Sequence, residues 1–363
     1  MIDRRVFRDI DWVLIGLALL NAVIGVVFIY SSSHFLPGNY YVRQALWVLF
    51  SLAVLFIVLA VDYKVLMTYS PYFYLASLVV LVGMLLFARF VAHTKSWITL
   101  PFFQIQPSEV AKLAVILLLA RLFSEYKRGT LASHTAAQAF ILVIVPVLLV
   151  AAQPDLGTAM TFLPILLAAF FLAGLKKRTI AILLVACLAA GFVGWNFGLR
   201  DYQKRRLTTL FNPGQDPRGA GYHILQSKIA IGSGGLTGKG FGKGSQSQLR
   251  FLPARHTDFI FSVIGEETGF AGVFFVLLAF FLMVARMFAS AAKARDRAGV
   301  YVVFMASVLI AYEFLVNTMM IIGLFPVTGV PLPLLSYGGS SLLSNFMAIG
   351  LVINVRMRRF ANV

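Results

Sequence analysis

The feature that most constrains the fold of this chain is a recurring series of long apolar segments. A helix needs roughly 20 apolar residues to cross about 30 Å of hydrocarbon. Ten segments approach or exceed that length, near residues 10–31, 42–61, 71–90, 108–123, 138–153, 157–175, 179–197, 258–285, 300–322 and 338–355. Hydrophobic residues make up 60% of the chain and charged residues only 12%, which excludes an ordinary soluble domain. The pattern predicts an all-α integral membrane protein, with about ten transmembrane helices in one membrane domain over residues 1–363.

Basic residues in the short connections predict the orientation of these helices. Short cytoplasmic loops carry an excess of Lys and Arg, and alternation of the segments puts five basic clusters on one side of the membrane. The clusters are Arg4, Arg5 and Arg8; Lys127 and Arg128; Lys176, Lys177 and Arg178; Lys293, Arg295 and Arg297; and Arg356, Arg358 and Arg359. We therefore expect both termini in the cytoplasm. We also expect the first segment to stay in the membrane, because it shows no small-residue cleavage site.

A long connection at about residues 199–257, between the seventh and eighth helices, is placed outside the cytoplasm by this alternation. Loops of this length usually have a function. Its ten Lys and Arg residues are opposed by only Asp201 and Asp216. A net charge of +17 is typical of nucleic-acid binding, but an external loop does not meet nucleic acid. We expect no nucleic-acid partner, and phosphate-bearing lipid head groups match the loop better.

Within this loop, the segment GSGGLTGKGFGKG, Gly232 to Gly244, is similar to a phosphate-binding loop without being one. In a Walker motif, glycine would stand at Ser233, and Ser or Thr would stand at Gly240. Two interpretations stay open. The glycines form a flexible hinge, or they let the backbone fold closely over a bulky lipid-linked substrate.

Ionisable residues in or beside the apolar segments are candidates for function, because a charge inside a membrane helix is costly unless it is paired or hydrated. They are Asp258, Glu266 and Glu267 at the outer end of the eighth segment, Glu109 and Lys112 in the fourth, Asp155 between the fifth and sixth, and Glu313 in the ninth. Structural roles compete with function. Glu109 and Lys112 can neutralise each other as an i, i+3 pair, while Asp155 or Asp258 can cap a helix. Trp97 can belong to an interfacial aromatic belt.

Four stretches give the chain a resemblance to a known family. They are QSKIAIGSGGLTGKGFGKGSQSQLRFLPARHTDFIFSVIGEETG, KSWITLPFFQIQPSEVAKL, AAQPDLGTAM and GLFPVTGVPLPLLSYGGSSLLSN. In order and spacing they resemble the SEDS family (shape, elongation, division and sporulation) over nearly the whole chain. SQLRFLPARHTDFIFSV and TGVPLPLLSYGGSS resemble its cell-elongation branch more than its division branch.

The resemblance implies a ten-helix peptidoglycan glycosyltransferase in the bacterial cytoplasmic membrane. Its substrate would be lipid II, the undecaprenyl diphosphate-linked disaccharide peptide, polymerised at the outer face. It implies a class B penicillin-binding protein, which is a transpeptidase, as partner, along with other membrane proteins of the elongation machinery. By position in the motifs, it makes Asp258 essential for catalysis and places Trp97, Glu109 and Lys112 at the substrate. Supporting positions are implied at Asp155, Glu266, Glu267, Ser336 and Tyr337.

The chemistry of such a reaction assigns roles to the charged residues. Growth of a β-1,4 glycan from an α-linked diphosphate donor inverts the anomeric carbon, which requires a base for the incoming hydroxyl and cations for the leaving diphosphate. We assign the base to Asp258 and expect burial beside Glu266 and Glu267 to raise its pKa. The cations expected at the diphosphate are Arg205, Arg206, Lys239, Lys243 and Arg255. A divalent cation, Mg²⁺ or Mn²⁺, stays open, because no spaced ligand set indicates it.

Two other classes of protein remain compatible with the residues. A lipid transporter would also have many helices, intramembrane charges and helix-interrupting stretches such as QPDLGTA and FPVTGVPLP. It predicts inverted repeats and charges at mid-membrane, whereas most of the candidate acids map to the outer half. A non-catalytic scaffold for cell-wall synthases predicts that Asp258 can be lost without consequence.

Overall fold

The computed structural model describes residues 9–88, 94–99, 104–125, 133–174, 196, 201–211, 219–249, 251–252 and 254–358, and these are almost entirely helical. The elements are α1 Trp12–Ser33, α2 Tyr40–Ala60, α3 Tyr63–Thr68, α4 Ser70–Phe87, β1 Ile98–Thr99, β2 Gln104–Ile105, α5 Pro107–Ser124, α6 Ser133–Ala152, α7 Leu156–Met160, α8 Phe162–Ala173, α9 Asp201–Phe211, α10 Ala220–Ser233, α11 Ser245–Gln248, α12 Ile260–Ala291, α13 Arg297–Ile321 and α14 Gly339–Met357. The strands β1 and β2 form one short antiparallel hairpin.

The all-α membrane fold is confirmed. Eight helical spans in the described residues are long and apolar enough to cross a membrane, with α7 and α8 together forming one of them. A further helix of 18 residues, α5, matches the predicted fourth span and carries Glu109 and Lys112. The predicted span at 179–197 lies, except for Asn196, outside the described residues. The count of ten helices therefore stays a prediction.

Helices α5, α13 and α14 are largely buried, and the other helices pack around them. Helix α14 lies along α2, while α13 packs against α5, α8 and α12, and α12 packs against α1. Gly25 of α1 permits a close approach, because a Cβ atom there would crowd the backbone of Leu335. The segment that precedes α14 is therefore pressed against α1, and this contact helps to position the candidate site.

The long basic connection is folded against the ends of the helices. It contains α9, α10 and α11. Helix α10 packs on α12 and α13, and the Ser227 hydroxyl donates to the Ile321 carbonyl oxygen at 2.7 Å. The alternation of apolar and polar residues in YHILQSKIAI predicts a short helix on the membrane surface. The structure places this stretch in α10, which is anchored to two membrane spans.

The glycine-rich segment docks onto a break in α12. Gly269 has φ +65°, which interrupts the helix and exposes backbone groups. The amides of Lys239 and Gly240 donate to the carbonyl oxygens of Glu266 and Glu267, both at 3.0 Å. A Cβ atom at Gly238 would overlap the Glu267 carbonyl. Gly234 and Gly238 therefore permit close backbone contact with the broken helix, while the positive φ of Gly235, Gly240 and Gly242 agrees with the relief of backbone strain in the hinge interpretation. The flexibility of the segment stays a prediction.

The end of the bundle that carries the predicted cytoplasmic clusters is held by a buried carboxylate. Asp11 is 3% exposed and accepts hydrogen bonds from Arg286, at 2.8 and 2.9 Å, and from Arg356. These contacts join α1, α12 and α14. Arg358 also donates to Asp62. Part of the positive charge that predicts orientation is thus also paired within the protein.

Candidate active site

Asp258 lies in the short segment that leads into α12, and its side chain is half-buried. Among the residues that the structure describes, no hydrogen bond or ion pair reaches its carboxylate. The N-cap position of α12 is Phe259, and no side chain caps this end of the helix. The capping interpretation of Asp258 is therefore wrong.

Three consecutive carbonyl groups hold the backbone of this segment. The Tyr337 amide donates to the His256 carbonyl oxygen at 2.9 Å. The Ser336 hydroxyl donates to the Thr257 carbonyl oxygen at 2.6 Å. The amide of Asn317 donates to the Asp258 carbonyl oxygen at 3.1 Å. We call these three bonds the carbonyl clamp. It fixes the backbone of Asp258 while leaving the carboxylate available.

Gln44 of α2 supports the clamp from the opposite side. Its amide nitrogen donates to the Ser336 carbonyl oxygen at 3.0 Å, and its amide oxygen accepts from the backbone of Gly338 at 3.2 Å. Elements α2, α13 and the segment before α14 therefore converge on Asp258. The structure places Ser336 and Tyr337 beside Asp258, where sequence reasoning expects supporting residues. Asn317 and Gln44 were missed, because a single amide in an apolar run carries no spacing signal.

The electrostatic surroundings of Asp258 suit a proton acceptor. Burial raises the pKa of Asp258 to about 6, and the nearby guanidinium of Arg206 opposes the rise. Arg206 lies in α9, is exposed, and donates to the Val327 carbonyl oxygen at 3.3 Å. Arg206, one of the cations predicted at the diphosphate, thus lies close enough to Asp258, the predicted base, to lower its pKa.

Glu266 and Glu267 do not take the tuning role expected of them. Glu266 is fully buried and accepts from Lys239 at 2.8 Å and from the backbone amides of Gln246 and Ser247 at 2.8 and 3.0 Å. Glu267 accepts from the Ser31 hydroxyl at 2.5 Å. Neither glutamate contributes to the raised pKa of Asp258. They lie two helical turns further into α12, where they fasten the glycine-rich segment, α11 and α1.

The predicted diphosphate cations separate into different environments. Arg255 is only 5% exposed, and its guanidinium donates to the carbonyl oxygens of Ser32 and Ser247 at 2.6 and 2.5 Å. This geometry contradicts a direct contact between Arg255 and the leaving group. Lys239 is bound to Glu266 as described above. Lys243 is exposed, and the Arg205 side chain lies outside the described residues.

Glu109 and Lys112 form the expected ion pair, and a third residue joins them. The Lys112 ammonium donates to Glu109 at 2.8 Å and to Glu313 of α13 at 2.5 Å, and all three residues are at most 4% exposed. We call this cluster the buried triad. The second carboxylate oxygen of Glu109, Oε2, has no partner among the described residues. Glu313 was recognised as an intramembrane acid, but its partner lies 201 residues away and has no sequence signal.

Asp155 caps a helix, as its structural interpretation predicts. Its carboxylate accepts from the Thr158 amide at 3.2 Å and from the Gln106 side chain at 2.9 Å. Trp97 is half-buried and immediately precedes β1. The β hairpin is joined to α14 by the Ser340 hydroxyl, which donates to the Gln104 carbonyl oxygen at 3.0 Å. Trp97 and Asp155 therefore lie on elements fixed to the helices around the buried triad.

The described residues do not provide a metal-ligand set. No group of three or more His, Cys, Asp or Glu side chains converges within them. Glu266 and Glu267, the carboxylates closest to Asp258 in sequence, both accept hydrogen bonds from protein donors, although Oε2 of Glu267 has no partner among the described residues. These side chains do not fit Mg²⁺ or Mn²⁺, which prefer several oxygen ligands.

Comparisons with known proteins place this site in context. A family model described as a cell cycle protein, FTSW_RODA_SPOVE, matches residues 11–360. The chain is 40% identical over 356 residues to the peptidoglycan glycosyltransferase MrdB of Escherichia coli strain K12, covering 98% of this chain and 95% of that protein. The fold is similar to that of the rod shape determining protein RodA of Thermus thermophilus, with a TM-score of 0.74, 29% identity, and coverage of 97% and 98%. It is also similar to a chain from a structure that describes the coordination of polymerization and crosslinking by a peptidoglycan synthase complex, with a TM-score of 0.83, 30% identity, and coverage of 97% and 99%.

Proposed function

We propose a catalytic mechanism from the premise that this chain belongs to the FtsW, RodA and SpoVE family of cell cycle proteins, the SEDS family. It is a multi-pass membrane peptidoglycan glycosyltransferase that polymerises lipid II, and its similarity to MrdB and RodA indicates a role in cell elongation. The proposal concerns the residues that carry out the reaction and the way the substrate is held.

In the proposed reaction, the Asp258 carboxylate takes the proton from the attacking sugar hydroxyl. The hydroxyl oxygen forms a bond to the anomeric carbon of the donor sugar. The bond from that carbon to the diphosphate oxygen breaks, and the diphosphate leaves with the electron pair. Attack on the face opposite the leaving group inverts the anomeric carbon. A carboxylate with a pKa of about 6 is ionised at neutral pH and is a better proton acceptor than an ordinary aspartate.

Arg206 is proposed to stabilise the negative charge that grows on the diphosphate. Its guanidinium already acts on the Asp258 carboxylate, so a substrate bound at Asp258 lies within its field. Guanidinium groups bind phosphate oxygens in pairs of hydrogen bonds. Lys243, which is exposed on the glycine-rich segment, is proposed to attract the anionic substrate from a greater distance.

The single observation that carries this proposal is a carboxylate that has no hydrogen bond or ion pair in the described structure, although three bonds hold the backbone of residues 256–258. A half-buried carboxylate without a protein partner is only partly solvated, which costs free energy relative to full exposure. Such a cost is retained where the group has a function.

The outward orientation of the site and its partners belong to the same proposal. The topology predicted from the basic clusters puts Asp258 at the outer face, where lipid II presents its sugars. One of the solved chains with a similar fold comes from a structure that describes a peptidoglycan synthase complex. We therefore propose that this chain works with a class B penicillin-binding protein, which crosslinks the strands, and with other membrane proteins of the elongation machinery.

A requirement for Mg²⁺ or Mn²⁺ stays a prediction, and no step of the mechanism is routed through one. Since the side chains that the structure describes do not form a ligand set, we propose that such an ion would be held largely by the substrate diphosphate. Polymerisation in the presence of a chelator, with Mg²⁺ or Mn²⁺ then restored, decides whether either ion is needed.

The direct test replaces the carboxylate without changing its shape. Asp258→Asn should reduce glycan polymerisation from labelled lipid II by about 10² or more, because the amide cannot accept the proton. Purified protein is assayed with and without the penicillin-binding partner. Asp62→Asn, the same chemical change at a helix cap remote from the site, serves as the control. Activity of the Asp258 variant above a tenth of wild type would remove Asp258 from the role of base.

A further inference from the structure

The side-chain amide of Asn317 joins two parts of the site that are distant in sequence. Asn317 lies in α13 and is 0% exposed. Its amide nitrogen donates to the Asp258 carbonyl oxygen at 3.1 Å and to the Val330 carbonyl oxygen at 2.8 Å. Both amide protons are thus used outside its own helix. By contrast, the equally buried Asn21 donates at 2.8 Å to Leu17 in its own helix, α1.

The segment that contains Val330 also contacts the cation of the site. Arg206 donates to the carbonyl oxygen of Val327, three residues before Val330. This segment is packed tightly against the start of α7, because a Cβ atom at Gly157 would overlap the backbone of Thr328. Asn317 therefore links the Asp258 segment to a fixed piece of backbone that holds Arg206.

We propose that Asn317 is a positioning residue, which sets the distance between Asp258 and Arg206 through its two hydrogen bonds. This inference rests on the proposed function, in which those two residues accept the proton and stabilise the diphosphate. Asn317 itself is buried and contacts backbone only. Its amide oxygen has no partner among the described residues, so its contribution comes from the two donated bonds.

The position of Asp258 relative to Arg206 matters because the attacking oxygen and the leaving diphosphate lie on opposite sides of one carbon. The base must reach one and the cation the other. A displacement of about 1 Å in a reacting group can reduce turnover by about 10². The Ser336 and Tyr337 bonds hold residues 256 and 257, and Ser336 is itself bonded to the backbone of Leu332. The Asn317 amide is the member of the clamp that binds the Asp258 carbonyl itself, and it also binds Val330, the residue three positions after the Val327 carbonyl that holds Arg206.

Asn317→Leu tests the proposal, because leucine retains approximate volume in an apolar helix and removes both donors. We expect the maximal polymerisation rate to fall by about 10- to 100-fold, with the lipid II concentration for half-maximal rate changed by less than about threefold. Asn21→Leu is the matched control, since it removes an equally buried amide that bonds only within its helix. It should keep the rate within about twofold of wild type. A rate for Asn317→Leu within twofold of wild type overturns the proposal.

A pH profile separates positioning from general loosening of the fold. Arg206 is the charged group that lowers the pKa of Asp258, while Arg255 and His256 precede it in its segment and Tyr337 of the clamp faces the same backbone. Without the Asn317 bond, Asp258 should be held less closely to Arg206, the charge that lowers its pKa, so the pKa of Asp258 should rise above about 6. The acid limb of the pH–rate profile should then move to higher pH, whereas general loosening of the fold would hydrate the carboxylate and move the limb to lower pH. A reduced rate with an acid limb that is unmoved or moves to lower pH overturns positioning and leaves Asn317 with a structural role.

A double variant tests the link to Arg206. If Asn317 sets the spacing, Arg206→Gln should lower the rate less in the Asn317→Leu background than in wild type. Equal losses in the two backgrounds overturn the link. Should the Leu variant fail to fold, Asn317→Ser, which is smaller and keeps one hydroxyl donor, is used for the same comparisons.

The outcomes for Asp258 and Asn317 can be told apart. An active Asp258→Asn variant would exclude Asp258 as the base, whatever the activity of the Asn317 variants. An inactive Asp258→Asn variant together with a wild-type-like Asn317→Leu variant sinks only the positioning role.

Discussion

The buried triad and the Asp258 site use the same types of side chain in opposite ways. In the triad, one lysine binds two carboxylates at 2.8 and 2.5 Å, deep between α5 and α13. At the site, the Asp258 carboxylate is unbonded within the described chain, although the surrounding backbone is tightly held. Paired charges stabilise a low-dielectric interior relative to unpaired ones. A carboxylate left unpaired in a rigid frame therefore indicates a function rather than a role in folding.

Glu266 and Glu267 show that proximity in sequence does not decide to which class a charge belongs. Both follow Asp258 within nine residues, yet Glu266 is held by Lys239 and two backbone amides, and Glu267 by Ser31. Like the carboxylates of the triad, they have a structural role, because their hydrogen bonds join separate elements of the fold. The partners of a charged group, which only the fold supplies, distinguish a structural carboxylate from a catalytic one.

The largest expected effect comes from breaking the triad. Lys112→Met removes the shared cation and leaves two buried carboxyl groups unpaired, which should lower the free energy of unfolding by about 3–5 kcal/mol. Replacing all three residues, as Glu109→Gln with Lys112→Met and Glu313→Gln, should recover much of the folded yield. Thermal unfolding and the yield of monodisperse protein measure both effects.

The double variant Glu109→Gln with Lys112→Met provides the control for the third member. An isolated pair predicts that neutralising both residues is compensated, whereas a triad predicts that Glu313 is then left without its lysine. The double variant should therefore be less stable than the triple variant. Equal stability of the two would show that Glu313 does not depend on Lys112.

A smaller effect, confined to catalysis, is expected from removing the cation at the unpaired site. Arg206→Gln should reduce the maximal rate by about 10- to 100-fold, because the growing charge on the diphosphate loses its stabilisation. Arg206 also lowers the pKa of Asp258, so its loss should raise that pKa above about 6. The acid limb should then move to higher pH, since the active form is the deprotonated one.

Lys243→Gln is the matched control for Arg206→Gln. Lys243 is also an exposed cation of the long connection, but it does not contribute to the pKa shift of Asp258. Its effect should be less than about threefold and should shrink as salt rises, because remote surface charges are screened over roughly 10 Å at 0.1 M. Similar, salt-sensitive losses in both variants would argue that Arg206 also acts only through a long-range field.

Much of the membrane fold could be predicted from the sequence, because long apolar runs encode spans directly. The described helices follow the predicted segments closely, as in Pro107–Ser124 against 108–123 and Gly339–Met357 against 338–355. The i, i+3 spacing of Glu109 and Lys112 likewise predicts their contact. Local patterns of this kind depend on helix geometry alone.

The rest of the site could not be predicted, because it depends on contacts between distant segments. Asn317 and Gln44 are single polar residues in apolar helices, and the carbonyl groups that they bind belong to other elements. From the sequence alone the glycine-rich segment resembles a hinge. Its hydrogen-bonding partner, the backbone next to the break in α12 at Gly269, is visible only in the structure. Arg255 and Arg206 are both basic residues of the long connection, and only their burial and their partners distinguish them.

The smallest expected effect on catalysis belongs to Arg255, although it is the cation nearest to Asp258 in sequence. Its guanidinium is buried against the carbonyl oxygens of Ser32 and Ser247, so it belongs with the paired charges. Arg255→Gln should lower the free energy of unfolding by about 1.5–3 kcal/mol, the usual worth of hydrogen bonds to a charged group. The maximal rate per folded molecule at saturating lipid II should stay within about twofold of wild type, at low and at high salt. Thermal unfolding and polymerisation are measured on the same preparation, so that loss of folded protein is not mistaken for loss of turnover. A tenfold fall in maximal rate with unchanged melting temperature would instead put Arg255 at the leaving diphosphate. Arg255 would then be grouped with Asp258 and Arg206 as a catalytic charge rather than with the structural ones.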